Sequence, residues 1–175
     1  PDLITFAKAV TNGFQPLGGV LVSDKVASVI TAKGGEFAHG FTYSGHPIAC
    51  AAAMATLDIM QSDNIFQTVH DHSAPYMQKR WAELGQHPIV GHTRGLGMFG
   101  SMELVRNKET RERLAPDQVS GGVCRDLSIA NGLVMRAVGD SMIISPPLIC
   151  NHAEIDTIIE RVTQALDQTA EYFSV

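Results

Sequence analysis

The hydrophobic pattern of this 175-residue chain changes near residue 62, and this change constrains the fold more than any other feature of the sequence. Up to that point, short apolar runs alternate with turns that contain glycine or proline, which is typical of short strands joined by loops. Beyond it, long patterns of helical periodicity alternate with strands. We therefore predict an α/β fold in three parts: residues 1–62, a connecting helix over residues 63–87, and a second α/β part over residues 88–175.

The first part is predicted to contain two short strands and a helix. Leu3–Ala7 is an uninterrupted apolar run, which predicts a buried strand, and Gly19–Ser23 predicts another. Residues 11–18 between them contain Asn-Gly and Gln-Pro, which favour a loop. Pro47 predicts the start of a helix over residues 48–60, because its missing N–H needs no partner in a first turn. The many alanines of this helix imply close packing against another backbone.

Short sequence motifs beyond residue 62 predict a hairpin, the start of the last helix and a kink. Leu133–Val138 and Met142–Ser145 flank a Gly-Asp pair, which predicts a β-hairpin. Asn151 and Glu154 have the spacing of a capping box, which predicts the start of the last helix. Pro75 interrupts the helical pattern of the connecting segment and predicts a kink there.

Composition excludes several classes of protein. Thirteen basic against eighteen acidic residues give a net charge of −5 with no basic cluster, which argues against a nucleic-acid partner. No apolar run approaches the roughly 18 residues that predict a membrane-spanning helix, so no membrane partner is expected. The three cysteines lie far apart without a Cys-x-x-Cys pair, which predicts reduced thiols in a cytoplasmic protein. Because the chain opens on Pro1 rather than methionine, we expect it to be a piece of a longer one.

One glycine pattern matches a nucleotide-binding motif without its context. Gly95–Gly100 fits Gly-x-Gly-x-x-Gly, but a dinucleotide site also needs a helix directly after the motif to bind the pyrophosphate. Ser101–Val105 instead continues as a strand, so we expect the glycines to permit a bulge or a close backbone contact. The seven histidines lack metal-site spacing, and Ser44 lacks the Gly-x-Ser-x-Gly context of a serine hydrolase, so neither site is predicted.

Three positions carry residues that could serve a reaction. Lys8 ends an apolar strand with no acidic neighbour in sequence; a desolvated lysine there could act as a nucleophile, or its ammonium could simply extend into water. Thr42 follows Phe41 in a loop ahead of Pro47, where hydroxyl and backbone N–H groups suit a phosphate but also an ordinary polar turn. Arg136 lies in an apolar strand and is predicted either to face solvent or to clamp a carboxylate.

Taken together, these segments resemble one family, the class III aminotransferases or omega-transaminases. Residues 1–20 (PDLITFAKAVTNGFQPLGGV) resemble the lysine signature of that family, and residues 39–47 (HGFTYSGHP) resemble its phosphate loop. Residues 94–99 resemble the strand that opens its small domain. Residues 132–136 and 145–148 resemble its late arginine strand and Pro-Pro turn. The resemblance covers the whole chain in order.

The resemblance implies a fold-type-I transferase that uses pyridoxal 5′-phosphate, with the first predicted part as the end of its large domain and the third as its small C-terminal domain. Lys8 matches the lysine that binds the cofactor aldehyde and then carries a proton. Thr42 matches the threonine that binds the cofactor phosphate from the neighbouring subunit, and Phe41 lies beside it in the cofactor site. Arg136 matches the arginine that binds an acceptor carboxylate and swings away for apolar amines.

The expected reaction is transfer of an amino group from an amine or omega-amino acid to a keto acid such as pyruvate, in a homodimer or a dimer of dimers. A class III aminomutase, an ornithine-type aminotransferase and a non-catalytic dimerising fragment remain alternatives. The family's upstream phosphate loop, ring-stacking aromatic residue and pyridinium-binding aspartate have no counterpart in these 175 residues. We therefore expect the 175-residue chain on its own to be inactive.

Overall fold

A computed structural model describes residues 1–175, with the exception of the Gln118 side chain. The chain divides into two compact units, Pro1–Asn64 and Ile65–Val175. Among the residues described, none of the helices has both the length and the apolar character needed to cross a bilayer. Over the same residues, no three His, Cys, Asp or Glu side chains are grouped so that they could hold a metal ion.

The first unit contains a two-stranded antiparallel sheet. β1 (Leu3–Ala7) pairs with β2 (Gly18–Val22), which confirms the two predicted strands and the loop between them. The predicted burial of β1 is wrong, because Leu3 is 56% exposed and Leu21, on the paired strand, is 58% exposed. A sheet of two strands buries neither face unless another layer packs on it, and the described residues of this unit provide no such layer.

Two helices complete the first unit. α1 spans Asp24–Lys33, and α2 spans Pro47–Ser62 with Pro47 in its first turn, as predicted. Ala49 and Ala53 are buried, and α2 packs against the 3-10 turn Lys8–Thr11 that follows β1. The predicted close approach of this alanine-rich helix to another backbone is confirmed, and its backbone partner is the turn that begins at Lys8.

The second unit is organised around a five-stranded antiparallel sheet. Four strands lie in the order β3-β4-β7-β6, and β5 pairs with β4. The β6–β7 pair confirms the predicted hairpin, and Gly139 in its turn has a φ of +57°. The strands are β3 (Val90–Leu96), β4 (Phe99–Asn107), β5 (Glu112–Arg113), β6 (Arg136–Val138) and β7 (Ser141–Ile144).

The connecting segment is helical but interrupted. α3 (Ile65–Thr68) passes through a π turn (Val69–Ser73) into α4 (Ala74–Glu83). Pro75 lies in the first turn of α4, where it has no N–H to donate. The N–H that opens α4 bonds the carbonyl five residues back, the pattern of a π turn. The kink predicted at Pro75 is therefore a π turn that ends just before this residue.

The core of the second unit lies between its sheet and its helices. α5 (Ser120–Ala130) and α6 (His152–Tyr172) supply the other helical faces. The apolar residues of α6 repeat with helical periodicity, which places Ile155, Val162 and Leu166 in this core. The other large core residues include Met77, Trp81, Leu84, Ile89, Met102, Leu104 and Met142.

The Gly95–Gly100 segment forms the tip of the β3–β4 hairpin. Gly97 has a φ of +61°, a conformation that the turn requires and that glycine adopts without strain. Gly100 lies against the indole ring of Trp81, and a Cβ at this position would be 2.7 Å from that ring. The chain then continues as β4, so the expected close contact and the rejection of a dinucleotide motif are confirmed.

Hydrogen bonds fix α6 at its start and along its side. The N–H of Glu154 donates to the Asn151 side chain at 3.0 Å, and the Glu154 carboxylate accepts from the Asn151 N–H at 2.8 Å, which confirms the capping box. Asp156 accepts from the Tyr76 hydroxyl at 2.8 Å and from Arg80 Nε at 2.8 Å, which joins α6 to α4. The Tyr76 hydrogen bond, followed by that of Arg80, holds the pKa of Asp156 below its usual value.

Two adjacent glycines of α5 allow a matched test of packing. A Cβ on Gly121 would lie 2.1 Å from the carbonyl oxygen of Gly139, whereas a Cβ on Gly122 would meet nothing within 4 Å. We expect Gly121→Ala to lower the free energy of unfolding by about 1–3 kcal/mol, because the hairpin turn must move. Gly122→Ala should raise it by up to about 1 kcal/mol, since alanine favours helix. Urea denaturation measures both changes, and equal stabilities would contradict the close contact.

Candidate active site

Lys8 lies directly after β1, at the first position of the 3-10 turn. Its φ is +55°, in the left-handed region that residues other than glycine rarely adopt. This conformation costs roughly 1 kcal/mol or more and persists only where the surrounding structure imposes it. The Lys8 side chain is exposed, so burial of that side chain does not account for the strain. A strained backbone beneath an exposed amine makes Lys8 a candidate functional residue.

The buried hydroxyl of Thr11 holds the loop that follows Lys8. Thr11 is 1% exposed, and its Oγ1 donates to the carbonyl oxygen of Gln15 at 2.5 Å. The same Oγ1 lies 3.5 Å from the carbonyl oxygen of Lys8. Sequence analysis missed this residue, because a threonine in a loop carries no distinctive pattern. Thr11 therefore ties the turn that begins at Lys8 to the loop that follows it.

An open groove of about 580 Å³ lies beside Lys8. Gly13, with a φ of +79°, lets the chain turn back along this groove toward β2. A concave surface next to an exposed primary amine can receive a small molecule with which that amine reacts. The lining residues are Ala7, Lys8, Thr11, Gly13, Gln15, Pro16, Leu17 and Gly18.

The loop that carries Phe41 and Thr42 is a tight, exposed turn. The N–H of Phe41 donates to Ser44 Oγ at 3.0 Å, and the N–H of Ser44 donates to the carbonyl oxygen of Phe41 at 2.9 Å. Phe41 is 78% exposed, with the ring of His39 edge-on to its own at 5.7 Å. The hydroxyl of Thr42 makes no hydrogen bond to any residue that the structure describes. Such a hydroxyl in an exposed turn is available to an anion.

The structure does not bring Thr42 to Lys8. The groove beside Lys8 is lined only by residues between Ala7 and Gly18, and neither Phe41 nor Thr42 is among them. Both segments belong to the first unit, so Thr42 and the Lys8 groove are separate within a single compact unit.

Arg136 begins β6, an edge strand of the sheet in the second unit. Its side chain is exposed and makes no ion pair with any residue that the structure describes. This exposure is compatible with both alternatives left open by the sequence, because a substrate carboxylate would reach the guanidinium from solvent. An exposed guanidinium without a protein partner retains all its donors for an external carboxylate.

Comparison with known proteins places these features in a family. The family model described as Aminotransferase class-III matches residues 1–166. The chain belongs to the class-III aminotransferase family. This confirms the family inferred from the lysine signature and the phosphate-loop motif.

Named relatives and solved structures agree with this family. A putrescine–pyruvate aminotransferase of Pseudomonas aeruginosa is 51% identical over 170 residues, which are 97% of this chain and 37% of the relative. An (S)-enantioselective omega-transaminase structure from Thermomicrobium roseum is 38% identical with a TM-score of 0.89, covering 97% of this chain and 38% of that one. A PMP-bound aminotransferase structure from Vibrio fluvialis is 29% identical with a TM-score of 0.88, covering 98% of this chain and 38% of that one.

These comparisons confirm the predicted fold class, the α/β fold of the type-I pyridoxal-phosphate-dependent transferases. The chain spans little more than a third of the length of the relatives that it matches.

Proposed function

We propose that the protein catalyses pyridoxal-phosphate-dependent transfer of an amino group from an amine or omega-amino acid to a keto acid such as pyruvate. The observation that carries the proposal is Lys8, an exposed amine on a strained backbone beside a groove, in a chain of the class-III aminotransferase family. The 51% identity to a putrescine–pyruvate aminotransferase supports an amine donor and pyruvate as acceptor.

The residues of the first unit fit the chemistry of pyridoxal phosphate. An aldehyde needs a primary amine within reach of solvent, which Lys8 offers. A phosphate needs a hydroxyl donor that is not already used, which the exposed side chain of Thr42 offers. When bound, the cofactor acts as an electron sink for the carbon that carries the amino group.

Each candidate residue has a separate task in this proposal. Lys8 would hold the cofactor through Nζ, and the same amine would accept the proton from the amine-bearing carbon of the substrate. Thr42 would hold the phosphate end of the cofactor through its hydroxyl, with the exposed ring of Phe41 beside it. Arg136 binds the carboxylate of the acceptor through its planar guanidinium.

We further propose a homodimer or a dimer of dimers in which Thr42 serves the partner subunit's cofactor. The absence of Thr42 from the lining of the Lys8 groove supports this arrangement. Residues 1–62, 63–87 and 88–175 are then the end of the large domain, the connecting helix and the small domain of that subunit. The three free cysteines support a reducing, cytoplasmic location.

Isotope transfer tests the reaction. The full-length protein should move ¹⁵N from labelled putrescine or 4-aminobutyrate to pyruvate, giving labelled alanine by mass spectrometry. Label in glutamate alone, with 2-oxoglutarate as acceptor, would favour an ornithine-type aminotransferase, and label retained in a rearranged donor would favour an aminomutase. The 175-residue polypeptide with added cofactor should form no labelled alanine; near-native transfer would contradict its expected inactivity.

A subunit-mixing experiment tests the role of Thr42. Thr42→Ala should weaken cofactor retention about 10- to 100-fold, the effect of losing one hydrogen bond to a charged group. Mixed dimers of Thr42→Ala and Lys8→Ala subunits should each contain one intact site, because an intact Lys8 meets an intact Thr42 across the interface. Activity at limiting cofactor should therefore rise above that of either variant alone. If Thr42 serves its own chain, every mixed site carries one lesion and no such rise occurs.

A further inference from the structure

The strand register places Arg136 on the outward face of the sheet. Its neighbours in the chain on the opposite face, Met135 and Ala137, contact the core, and Met135 is only 3% exposed. Side chains alternate between faces along a strand, so Arg136 and Val138 point outward together. Val138 is 49% exposed, in agreement with this assignment.

The residues beside Arg136 on this face carry no charge. Arg136 lies directly opposite Ile143 on β7, and Val138 lies opposite Ser141. Directly opposite side chains are about 5 Å apart at Cβ, and diagonal ones about 7–8 Å. The side chain of Arg136 therefore has three neutral neighbours on this face: Ile143 directly opposite on β7, Val138 two residues along β6, and Ser141 diagonally opposite on β7.

The acidic residue that shares this face is further away. Glu103 lies on β4, the strand on the far side of β7 from β6, and it pairs with Ser141. Because Ser141 is opposite Val138, Glu103 is also displaced from Arg136 by two residues along the strands. Adjacent strands are about 4.8 Å apart, so Glu103 is separated from Arg136 by two strand spacings as well as by this displacement. This arrangement agrees with the absence of an ion pair for Arg136 among the residues described.

We propose that Ile143 is a positioning residue that keeps Arg136 unpaired and therefore available to the acceptor carboxylate. The inference rests on the proposed function of Arg136. An arginine that binds a substrate carboxylate needs a neighbour that neither pairs with it nor repels it. A β-branched apolar side chain directly across the strand meets both requirements and supports the aliphatic stem of the arginine.

Ile143→Asp and Ile143→Asn form the matched test, because they differ in charge but hardly in size. The aspartate should pair with Arg136 across the strands and also repel the incoming carboxylate. We expect Ile143→Asp in the full-length holoenzyme to raise the KM for pyruvate about 3- to 30-fold above that of Ile143→Asn, with a smaller change in kcat. Raising the ionic strength should reduce the difference in KM between Ile143→Asp and Ile143→Asn, since pairing and repulsion are both electrostatic. Ile143→Val should keep the KM of the native enzyme.

Ser141→Asp and Ser141→Asn provide a second pair at the diagonal position, where a polar side chain is already present. Ser141→Asp should likewise have a higher KM for pyruvate than Ser141→Asn, by a smaller factor. This second pair keeps the proposal testable if Ile143→Asp does not fold. Equal KM values within both pairs would overturn the role of Ile143. If Arg136→Ala, assayed in parallel, leaves the KM for pyruvate unchanged, the proposed role of Arg136 fails instead.

Discussion

Replacing Lys8 by alanine in the full-length enzyme should lower the rate of transamination by at least about 10⁴-fold. A positioned acid–base group contributes about 10²- to 10⁴-fold, and loss of the covalent attachment of the cofactor adds to that. The change removes an exposed side chain, so the fold of the first unit should remain. Single-turnover spectroscopy of the bound cofactor after mixing with a donor amine measures the loss directly.

Two control variants separate the amine from its surroundings. Lys25→Ala removes another exposed lysine of the same unit, whose ion pair with Asp2 at 3.4 Å is worth little, and should leave the rate unchanged. Lys8→Asn keeps a residue type that tolerates a positive φ but lacks the amine. It should be as inactive as Lys8→Ala, and added methylamine should restore part of the activity in both. Full activity of Lys8→Asn would mean that the backbone conformation, rather than the amine, matters.

Chemical trapping identifies the lysine independently of rate. Borohydride reduction of the holoenzyme followed by peptide mapping should place the pyridoxyl label on Lys8. Lys25 and Lys33, which lie on α1, serve as internal comparisons because the same digest reports them. Label on either of these would exclude Lys8 as the cofactor lysine even if Lys8→Ala were inactive.

The fold of the second unit was largely predictable because its signals are local. The capping box of Asn151 and Glu154 and the hairpin turn at Gly139 depend on residues close in sequence, and the structure confirms both. The exposure of β1 was not predictable, because an apolar run does not specify whether a layer packs on it. Periodicity predicts an element and its faces, whereas burial depends on what packs against those faces.

The candidate site was less predictable from its residues alone. From its residues alone, Lys8 was better explained as a lysine at the end of a strand with its ammonium in water, and only the family motif favoured a reactive amine. The left-handed backbone of Lys8, the Thr11 hydrogen bond to Gln15 and the contact with α2 leave no pattern in the sequence. The carboxylate-binding role of Arg136 stays a prediction, and its neutral neighbours could be identified only from the strand register.

Arg136→Ala should affect the two half-reactions very differently. Its guanidinium matches a planar carboxylate bidentately, and loss of such a charge-assisted pair costs about 2–4 kcal/mol. The kcat/KM for pyruvate should therefore fall roughly 30- to 1000-fold. An apolar monoamine such as hexylamine lacks the carboxylate, so its transition state does not use this contact, and cofactor amination by it should change by less than about tenfold.

The two half-reactions can be measured separately by stopped-flow absorbance of the cofactor, with hexylamine in one and pyruvate in the other. Arg125→Ala is the matched control, because Arg125 is an exposed arginine of the same unit whose partner is its neighbour Asp126 at 2.8 Å. It should change neither rate. Arg136→Lys should retain little of the native pyruvate rate, since an ammonium cannot reproduce the two parallel hydrogen bonds. Equal losses in both half-reactions of Arg136→Ala would show that the arginine supports the structure of the β6 edge rather than the binding of the acceptor, and the assignment of its carboxylate role would fail.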